Sequence, residues 1–197
     1  MNAPNCEEQD AQDMARLAGG HDAALNDLME RHAERLFHYL VRSLQDEADA
    51  ADAAQETFVK IYQNRVTFDP QQKFSTWLYA IASNLVRDRY RWRSRHQQVS
   101  LDAENEQTGS NLKDTLQASG PLPDQTAQAE ERADEVRNAV AALPEELKQP
   151  LILALYQDLP QAEIATILKC SVKAVETRIY RARQQLRTAL AGLISSL

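Results

Sequence analysis

The 197-residue sequence has few of the residues that mark disulfide frameworks, turn-rich folds and membrane spans. It contains five glycines and only two cysteines, Cys6 and Cys170. Because neither cysteine belongs to a CxxC motif, we expect two free thiols in a reducing compartment. No apolar run approaches the ~18 residues that a membrane span needs. The acidic, polar N-terminus is unlike a signal peptide, so we predict a cytoplasmic protein without membrane insertion.

Enzyme-like patterns are also missing. The four histidines, His21, His32, His38 and His96, do not have the spacing of metal ligands. There is no glycine-rich phosphate-binding loop. We therefore predict no catalytic residues, no metal and no cofactor, and we interpret His32, on an apolar helix face, as a core residue. The chain is not expected to be an enzyme.

What the sequence does contain is helical. Alanine and leucine are abundant, no segment alternates as a strand does, and no Asn-Gly or Asp-Gly hairpin signal occurs. Residues 97–126 are rich in polar residues, glycine and proline, which is typical of a linker. We predict an all-α protein with two small helical domains, 10–96 and 127–194, joined by a flexible linker. The second domain is predicted to contain a helix-turn-helix.

Charge is unevenly distributed along the chain. The net charge is −7, but residues 1–57 carry thirteen acids against four arginines, whereas residues 87–95 carry five arginines against one acid. A second basic segment lies in the last predicted helix. Local potential, and not the chain total, governs phosphate binding. The distribution therefore indicates two kinds of partner, a basic protein surface and a polyanion.

Residues 171–187 give the most specific signal. Apolar residues recur at helical spacing along one stripe of this segment: Val172, Val175, Ile179, Ala182 and Leu186. Basic side chains lie outside this stripe, and Ser171 stands at the N-cap position of the helix. A short helix opened by Pro160 precedes it, which completes a helix-turn-helix pattern. The alternative, a solvated charged helix of a small bundle, ranks second because the charge has one sign in an acidic chain.

Three helices are expected in the first domain, over about 25–44, 51–63 and from Phe74 onward. The outer side of the second helix is acidic, and by default such a side is simply solvated. Trp92 is predicted to face inward on the third helix. The opposite side of that helix carries Ser83, Asn84, Arg87, Tyr90 and Arg91. These residue types suit an unpaired nucleic-acid strand, but the residues alone fit a basic surface helix equally well.

Four segments together resemble the extracytoplasmic-function (ECF) sigma factors, group IV of the sigma-70 family. ADAADAAQETF (48–58) is similar to the family signature DAEDxxQETF, and FSTWLYAIASN (74–84) is similar to FxxWLYxIAxN. LPQAEIATIL (159–168) and VETRIYRARQQLR (175–187) resemble the family's region 4. The order and distances match across essentially the whole chain outside the tail and linker. The resemblance implies a region 2 domain and a region 4 domain of a transcription initiation factor.

The resemblance also implies roles for individual residues. Polymerase binding is expected at Asp52, Gln55 and Glu56, which match the family's polymerase-binding region, and at Asp49 and Val59, which lie on the same side of that helix. Recognition of the −10 promoter element is expected at Phe68, Lys73, Asn84, Arg87, Tyr90 and Arg91. Recognition of the −35 element is expected at Ser171, Lys173, Glu176, Thr177, Arg178 and Arg181. The implied partners are bacterial core RNA polymerase (its β′ clamp and β flap), promoter DNA and an anti-sigma factor.

Two departures from the family text carry further expectations. Lys169 stands where a turn glycine is common, so we expect either a left-handed Lys169 or a turn that differs from the family's. Glu176 replaces a frequent basic residue, which predicts an unusual −35 preference. Two other function classes stay open on the residues: a plain helix-turn-helix repressor, and an interaction protein that mimics a sigma factor. Promoter binding that requires core polymerase would distinguish a sigma factor from a repressor.

Overall fold

A computed structural model describes residues 6–99 and 123–195, and it describes side chains for 6–96 and 132–193. These residues form helices joined by turns, and no strand occurs among them. The helices are α1 (Cys6–Ala18), α2 (Ala24–Leu44), α3 (Glu47–Gln63), α4 (Phe74–Val99), α5 (Pro123–Ala141), α6 (Glu145–Tyr156), α7 (Gln161–Leu168), α8 (Val172–Ala189) and α9 (Ala191–Ser195). None of the helices in the described part of the chain is long and apolar enough to cross a membrane.

Helices α1 to α4 form the first bundle around the apolar face of α2. Leu28, Leu36 and Leu40 are fully buried on that face, as their helical spacing predicts. Gln45 ends α2 in the left-handed conformation, with φ of 58°. The Asp46 carboxylate then accepts a hydrogen bond from the Asp49 N–H at 2.8 Å and caps α3. The predicted polar break at 45–46 is thus the turn between two packed helices.

Helices α5 to α9 form the second bundle, whose core is built by α6, α7 and α8. Leu151, Ile164 and Val175 are buried at the contact of these three helices. Each Å² of apolar surface that is buried here stabilises this small core by about 25 cal/mol. The result is a compact helix-turn-helix unit with α8 on its outer side.

The two bundles contact each other through α4 with α7 and α2 with α6. The Tyr79 hydroxyl donates to the Gln157 side-chain oxygen at 2.5 Å. The Lys148 ammonium donates to the Ala141 carbonyl at 2.7 Å and lies 3.2 Å from the Tyr90 hydroxyl. Burial of Lys148 lowers its pKa, because desolvation disfavours the charged ammonium. Polar pairs therefore accompany the apolar contacts across this interface.

Several side chains depart from the sequence predictions. Trp92 does not face inward but is 56% exposed, because the side of α4 that contacts Leu44 and Asp49 at this level is the one that carries Arg93. Ser83 does not lie on the outer side with Asn84; it is buried, 2.8 Å from the Tyr39 hydroxyl. Val172 is 42% exposed, since it begins α8 at the edge of the core. The N-terminal helix α1 was not predicted at all.

The predicted linker, 97–126, overlaps two helix ends. Helix α4 continues to Val99 and α5 begins at Pro123. The intervening linker residues, 100–122, lie outside the described residues. The proposed boundaries of the two domains stay predictions, but the bundles on either side agree with the all-α fold.

Candidate functional site

The outer side of α3 carries the predicted polymerase-binding residues. Asp52 and Gln55 are exposed, and Val59 leaves 45% of its surface exposed beside them. The Glu56 carboxylate is closer to cations, with Lys60 Nζ at 3.4 Å and an Arg89 nitrogen at 3.6 Å. Asp49 forms an ion pair with Arg93 of α4. The face is therefore acidic around Asp52 but partly neutralised at both ends.

Asn84 lies in a surface pocket of about 340 Å³. The pocket is lined by residues from the end of α3, the following turn and α4: Lys60, Asn64, Thr67, Trp77, Ile81, Asn84, Leu85 and Asp88. Asn84 Oδ1 accepts a hydrogen bond from the Arg87 guanidinium at 3.1 Å, which leaves the Asn84 amide nitrogen free to donate. The pocket combines an apolar wall with a polar amide, as a site for a flat heterocycle does.

Phe68 and Lys73 bound the loop between α3 and α4, but they point to different places. The Phe68 ring packs at 5.1 Å from Trp77, which also lines the Asn84 pocket. Lys73 Nζ lies 2.8 Å from a Glu7 oxygen and 2.9 Å from a Glu163 oxygen. These hydrogen bonds, the Glu7 bond first, raise the pKa of Lys73. Phe68 thus adjoins the pocket, whereas Lys73 joins α1 and α7.

The remaining α4 residues divide between two faces. Arg87 and Arg91 follow Asn84 at helical spacing, and the Arg91 side chain is exposed with Asp88 at 3.7 Å. Tyr90 lies elsewhere: it is half-buried, and its hydroxyl donates to the Ser43 carbonyl at 2.6 Å. The reason is geometric, since six residues of α-helix turn through about one and two-thirds turns. The prediction that Tyr90 shares the Asn84 face is therefore corrected.

The turn between α7 and α8 has the left-handed residue that was one of the two alternatives expected at Lys169. Lys169 adopts φ of 52° and ψ of 48°, in the left-handed region. The Ser171 hydroxyl accepts a hydrogen bond from the Ala174 N–H at 3.1 Å and caps α8. An open depression along this turn is lined by α7 and by Lys169 to Val172. A capped helix held at a fixed angle to its neighbour can enter a DNA groove.

The outer side of α8 presents polar and basic residues in two sets. Lys173 and Glu176 are exposed and 3.1 Å apart, and Thr177 donates its hydroxyl back to the Lys173 carbonyl at 2.8 Å. Arg181 is exposed one turn further on. Arg178 is half-buried, and its guanidinium lies 3.6 Å from Cys170 Sγ. All six predicted −35 residues thus lie in or beside one helical segment, with Thr177 and Arg178 half-buried and the other four exposed.

Comparison with known proteins identifies the family. Residues 28–96 match the family model for sigma-70 region 2, and residues 133–186 match the model for sigma-70 region 4. The sequence is 34% identical over 175 residues to the ECF RNA polymerase sigma factor SigW of Bacillus subtilis, covering 88% of this chain and 92% of that protein. The chain belongs to the ECF sigma factor family. This ECF sigma factor is a transcription initiation factor that directs transcription to promoters.

Other relatives agree over nearly the full length. The RNA polymerase sigma-H factor of Pseudomonas aeruginosa is 32% identical over 192 residues, or 95% of this chain and 97% of that one. The structure of CnrH in complex with the cytosolic domain of CnrY superposes with a TM-score of 0.68 at 27% identity, covering 93% of this chain and 98% of that one. RpoE in complex with the anti-sigma factor NepR from Bartonella quintana shares the fold, with a TM-score of 0.65 at 20% identity over 84% of this chain and 96% of that one.

The structure also reveals surface residues that the sequence analysis missed. The Trp92 ring stacks on the His96 ring with centroids 4.1 Å apart, and both side chains are exposed between arginines. Their spacing of four residues was the available signal. It was hidden because a tryptophan at helical spacing is usually a core residue. This ECF sigma factor therefore has an exposed aromatic pair beyond Asn84 on α4.

Proposed function

We propose that this ECF sigma factor binds core RNA polymerase through the outer side of α3, holds an unpaired −10 base in the Asn84 pocket and reads the −35 element with α8. It would act in the bacterial cytoplasm, where the polymerase and DNA are. The observation that carries the proposal is the Asn84 pocket on the same chain as a capped helix-turn-helix. A protein that acted through its helix-turn-helix alone would account for α8 but would give the Asn84 pocket no role.

The polymerase contact is assigned to the exposed centre of the α3 face. Asp52 and Gln55 are available to a basic partner, and Val59 adds apolar area, which suits an interface. We expect Asp52→Arg with Glu56→Arg to abolish holoenzyme assembly on gel filtration while leaving the circular dichroism spectrum unchanged. The matched control is Glu30→Arg with Glu34→Arg, exposed on α2. Undiminished co-elution with core polymerase would refute this contact.

The −10 contact is assigned to the pocket because only an unstacked base fits a small concave site. Its amide donor and the adjacent Trp77 and Phe68 rings offer hydrogen bonding and stacking together. Asn84→Ala should reduce transcription from both a closed and a pre-melted promoter if Asn84 reads the base, and from the closed one alone if it assists melting. Asn26→Ala, an exposed asparagine on α2, is the control. If Asn84→Ala transcribes both templates as well as wild type does, Asn84 has no role in reading the −10 base.

The −35 contact separates positioning from specificity. Arg181 is exposed and can contact a phosphate. Arg181→Ala should therefore weaken binding to all −35 sequences alike and reduce the slope of log affinity against log salt concentration by about one unit. Glu176 lies on the side of α8 that would enter the groove. Glu176→Arg should therefore change which base pair is preferred at one position, with a difference in binding free energy between base pairs of roughly 1–3 kcal/mol. A −35 library selected with each protein measures this. An identical consensus from both would show that Glu176 reads no base.

Two rival functions predict different footprints. A helix-turn-helix repressor would protect the promoter without polymerase, and a sigma mimic would bind a regulator but start no transcript. We expect protection of both promoter elements, and a run-off transcript, only when core polymerase is added. Protection by the chain alone with no transcript would favour the repressor. The two family-model matches, one to each bundle, support the sigma factor.

We also infer control by an anti-sigma factor. The support is the similarity to CnrH, whose structure is a complex with the cytosolic domain of CnrY. Leu155 and Tyr156 of α6 are about half exposed and give such a partner apolar area. Leu155→Asp should free the factor from inhibition in a strain that carries its regulator, raising reporter output without an inducing signal. Output that stays at the uninduced level would count against this surface.

A further inference from the structure

Three side chains of metal-ligand type meet at the start of α1. Cys6 Sγ lies 3.9 Å from an Asp10 oxygen, and His32 Nε2 lies 2.8 Å from the same oxygen. All three candidate ligand atoms are within 4.8 Å of one another, and within the described residues no other such trio is found. The sequence analysis predicted no metal here, since Cys6 and His32 are distant in sequence and belong to no motif.

The fold explains how the trio forms. Cys6 and Asp10 are four residues apart and therefore share one face of α1. That face packs on α2, which contributes His32. Asp10 and His32 are buried, at 3% and 8% exposure, whereas Cys6 is exposed. The cluster is thus closed toward the core and open to solvent on the side of the sulfur.

The surrounding contacts orient these ligand atoms as a second coordination shell does. Arg31 Nε donates to the other Asp10 oxygen at 2.9 Å, and the Arg31 guanidinium also binds Asp13 at 2.6 Å. One Asp10 oxygen is therefore occupied by Arg31, and the second faces Cys6 and His32. The His32 ring packs at 5.1 Å from the Phe74 ring, which fixes its plane.

A purely structural role accounts for only part of this arrangement. The bonds among Asp10, Arg31 and His32 tie α1 to α2 without any help from the thiol. Cys6 adds at most a weak hydrogen bond at 3.9 Å. A sulfur directed at a buried carboxylate and imidazole is better explained by coordination.

We propose that Cys6, Asp10 and His32 bind one divalent metal ion of the zinc class, with water as the fourth ligand. Thiolate, imidazole and carboxylate are the ligands of Zn²⁺, and three protein ligands plus an open position form a common zinc arrangement. On binding, the thiol releases its proton to solvent, the Nε2 proton of His32 moves by way of solvent to Nδ1, and the metal replaces the hydrogen bond between Asp10 and His32. The ion holds the first turn of α1 against α2, next to the Glu7 that contacts Lys73.

The test uses the full-length protein freed of metal and titrated with Co²⁺ as a spectroscopic probe. We expect a thiolate-to-cobalt charge-transfer band that saturates at one equivalent and disappears when Zn²⁺ is added. Cys6→Ser should abolish the band and weaken Zn²⁺ binding at least about tenfold, in line with losses on disturbing a metal site. Cys170→Ser, which removes the other cysteine, is the matched control and should retain both.

Two results overturn the proposal. One is the absence of a saturable band in the wild-type protein, which would make the cluster a structural tie only. The other is a band that Cys6→Ser retains and Cys170→Ser removes. Since Cys6 is exposed, Cys6→Ser should fold normally, and the thermal midpoint without metal checks this. The same midpoint should rise with Zn²⁺ in wild type but not in Cys6→Ser.

Discussion

Reversing the charge of Glu163 should separate the two helical bundles. One Glu163 oxygen lies 2.9 Å from Lys73 Nζ, and the other accepts from the Thr76 hydroxyl at 3.3 Å. The Glu163 side chain is 19% exposed and Lys73 is 45% exposed. Because Lys73 is so accessible, the ion pair alone contributes only about 0.2–1 kcal/mol. The bond to buried Thr76 adds a further ~1 kcal/mol.

The expected size of the effect follows from these contacts. Glu163→Gln keeps a hydrogen-bond acceptor for Thr76, so it should weaken the interface by less than about 1 kcal/mol. Glu163→Lys loses both bonds and adds repulsion with Lys73, for a total of about 2–3 kcal/mol. Since 1.4 kcal/mol is a factor of ten, the population of separated bundles should rise roughly 30- to 150-fold. The contacts of Tyr79 and Lys148 continue to oppose separation.

Small-angle scattering and binding of −10 single strands measure this opening. Glu163→Lys should increase the radius of gyration and tighten binding of the single strand, because Lys73 then keeps only one of its two acidic partners, Glu7. Glu135→Lys makes the same charge change at an exposed position of α5 and is the control. If Glu163→Lys matches wild type in both measurements, the contact between Lys73 and Glu163 does not restrain the bundles and the reasoning fails.

Three further predictions concern stability in urea. Lys169→Gly should stabilise the protein by about 0.5–1 kcal/mol, because Lys169 has a φ of 52°; a loss would mean that its side chain matters more than its backbone. Burial raises the pKa of Tyr39 to about 12, so this hydroxyl should not affect stability below pH 10 and should lower it by about 2–3 kcal/mol between pH 10 and 12. Burial also raises the pKa of Tyr79 and of Tyr90, so Tyr39→Phe should reduce the alkaline loss by that amount without abolishing it. Leu36→Ala, at a fully buried position, should cost about 2–5 kcal/mol, whereas Met29→Ala at 37% exposure should change stability little.

The sequence predicts those parts of the fold that depend on local periodicity. Helix α2 is recognised because its leucines recur at helical spacing. Helix α8 is recognised because Ser171 stands at its N-cap position and because its apolar stripe lies opposite basic residues. For Lys169 the family resemblance left two alternatives, a left-handed residue or a different turn, and the structure has the left-handed residue. Helix α1 escapes prediction because its buried positions include Asp10 and Asp13, which no hydrophobic pattern reveals. Those acids are buried only because Arg31 and His32 meet them from α2.

In the candidate site, too, the positions that depend on helix geometry were predicted, and those that depend on packing between helices were not. Asn84 and Arg87 share a face by helix geometry, and the structure keeps them together at 3.1 Å. Tyr90 was grouped with them by residue type, but its angular position on α4 directs it toward Ser43. Trp92 was placed inside by its size, although it lies on a side of α4 that no neighbouring helix covers, whereas the adjacent Arg93 contacts Leu44 and Asp49. Such errors arise where the number of covering helices, a property of the tertiary fold, decides whether a side chain is buried.

The exposure of the proposed contact surfaces implies an order of events at a promoter. Asp52 and Gln55 on α3 are exposed while the bundles are in contact, so polymerase can bind without any rearrangement. Lys73, by contrast, is held by Glu7 and Glu163. When α7 moves away from α4, Lys73 loses Glu163 and keeps only Glu7 of α1, and a polymerase that separates the two bundles would supply this movement. Capture of the −10 strand by this loop is therefore expected to follow polymerase binding, because the loss of Glu163 leaves Lys73 with a single acidic partner and so raises the positive potential that the loop offers to DNA.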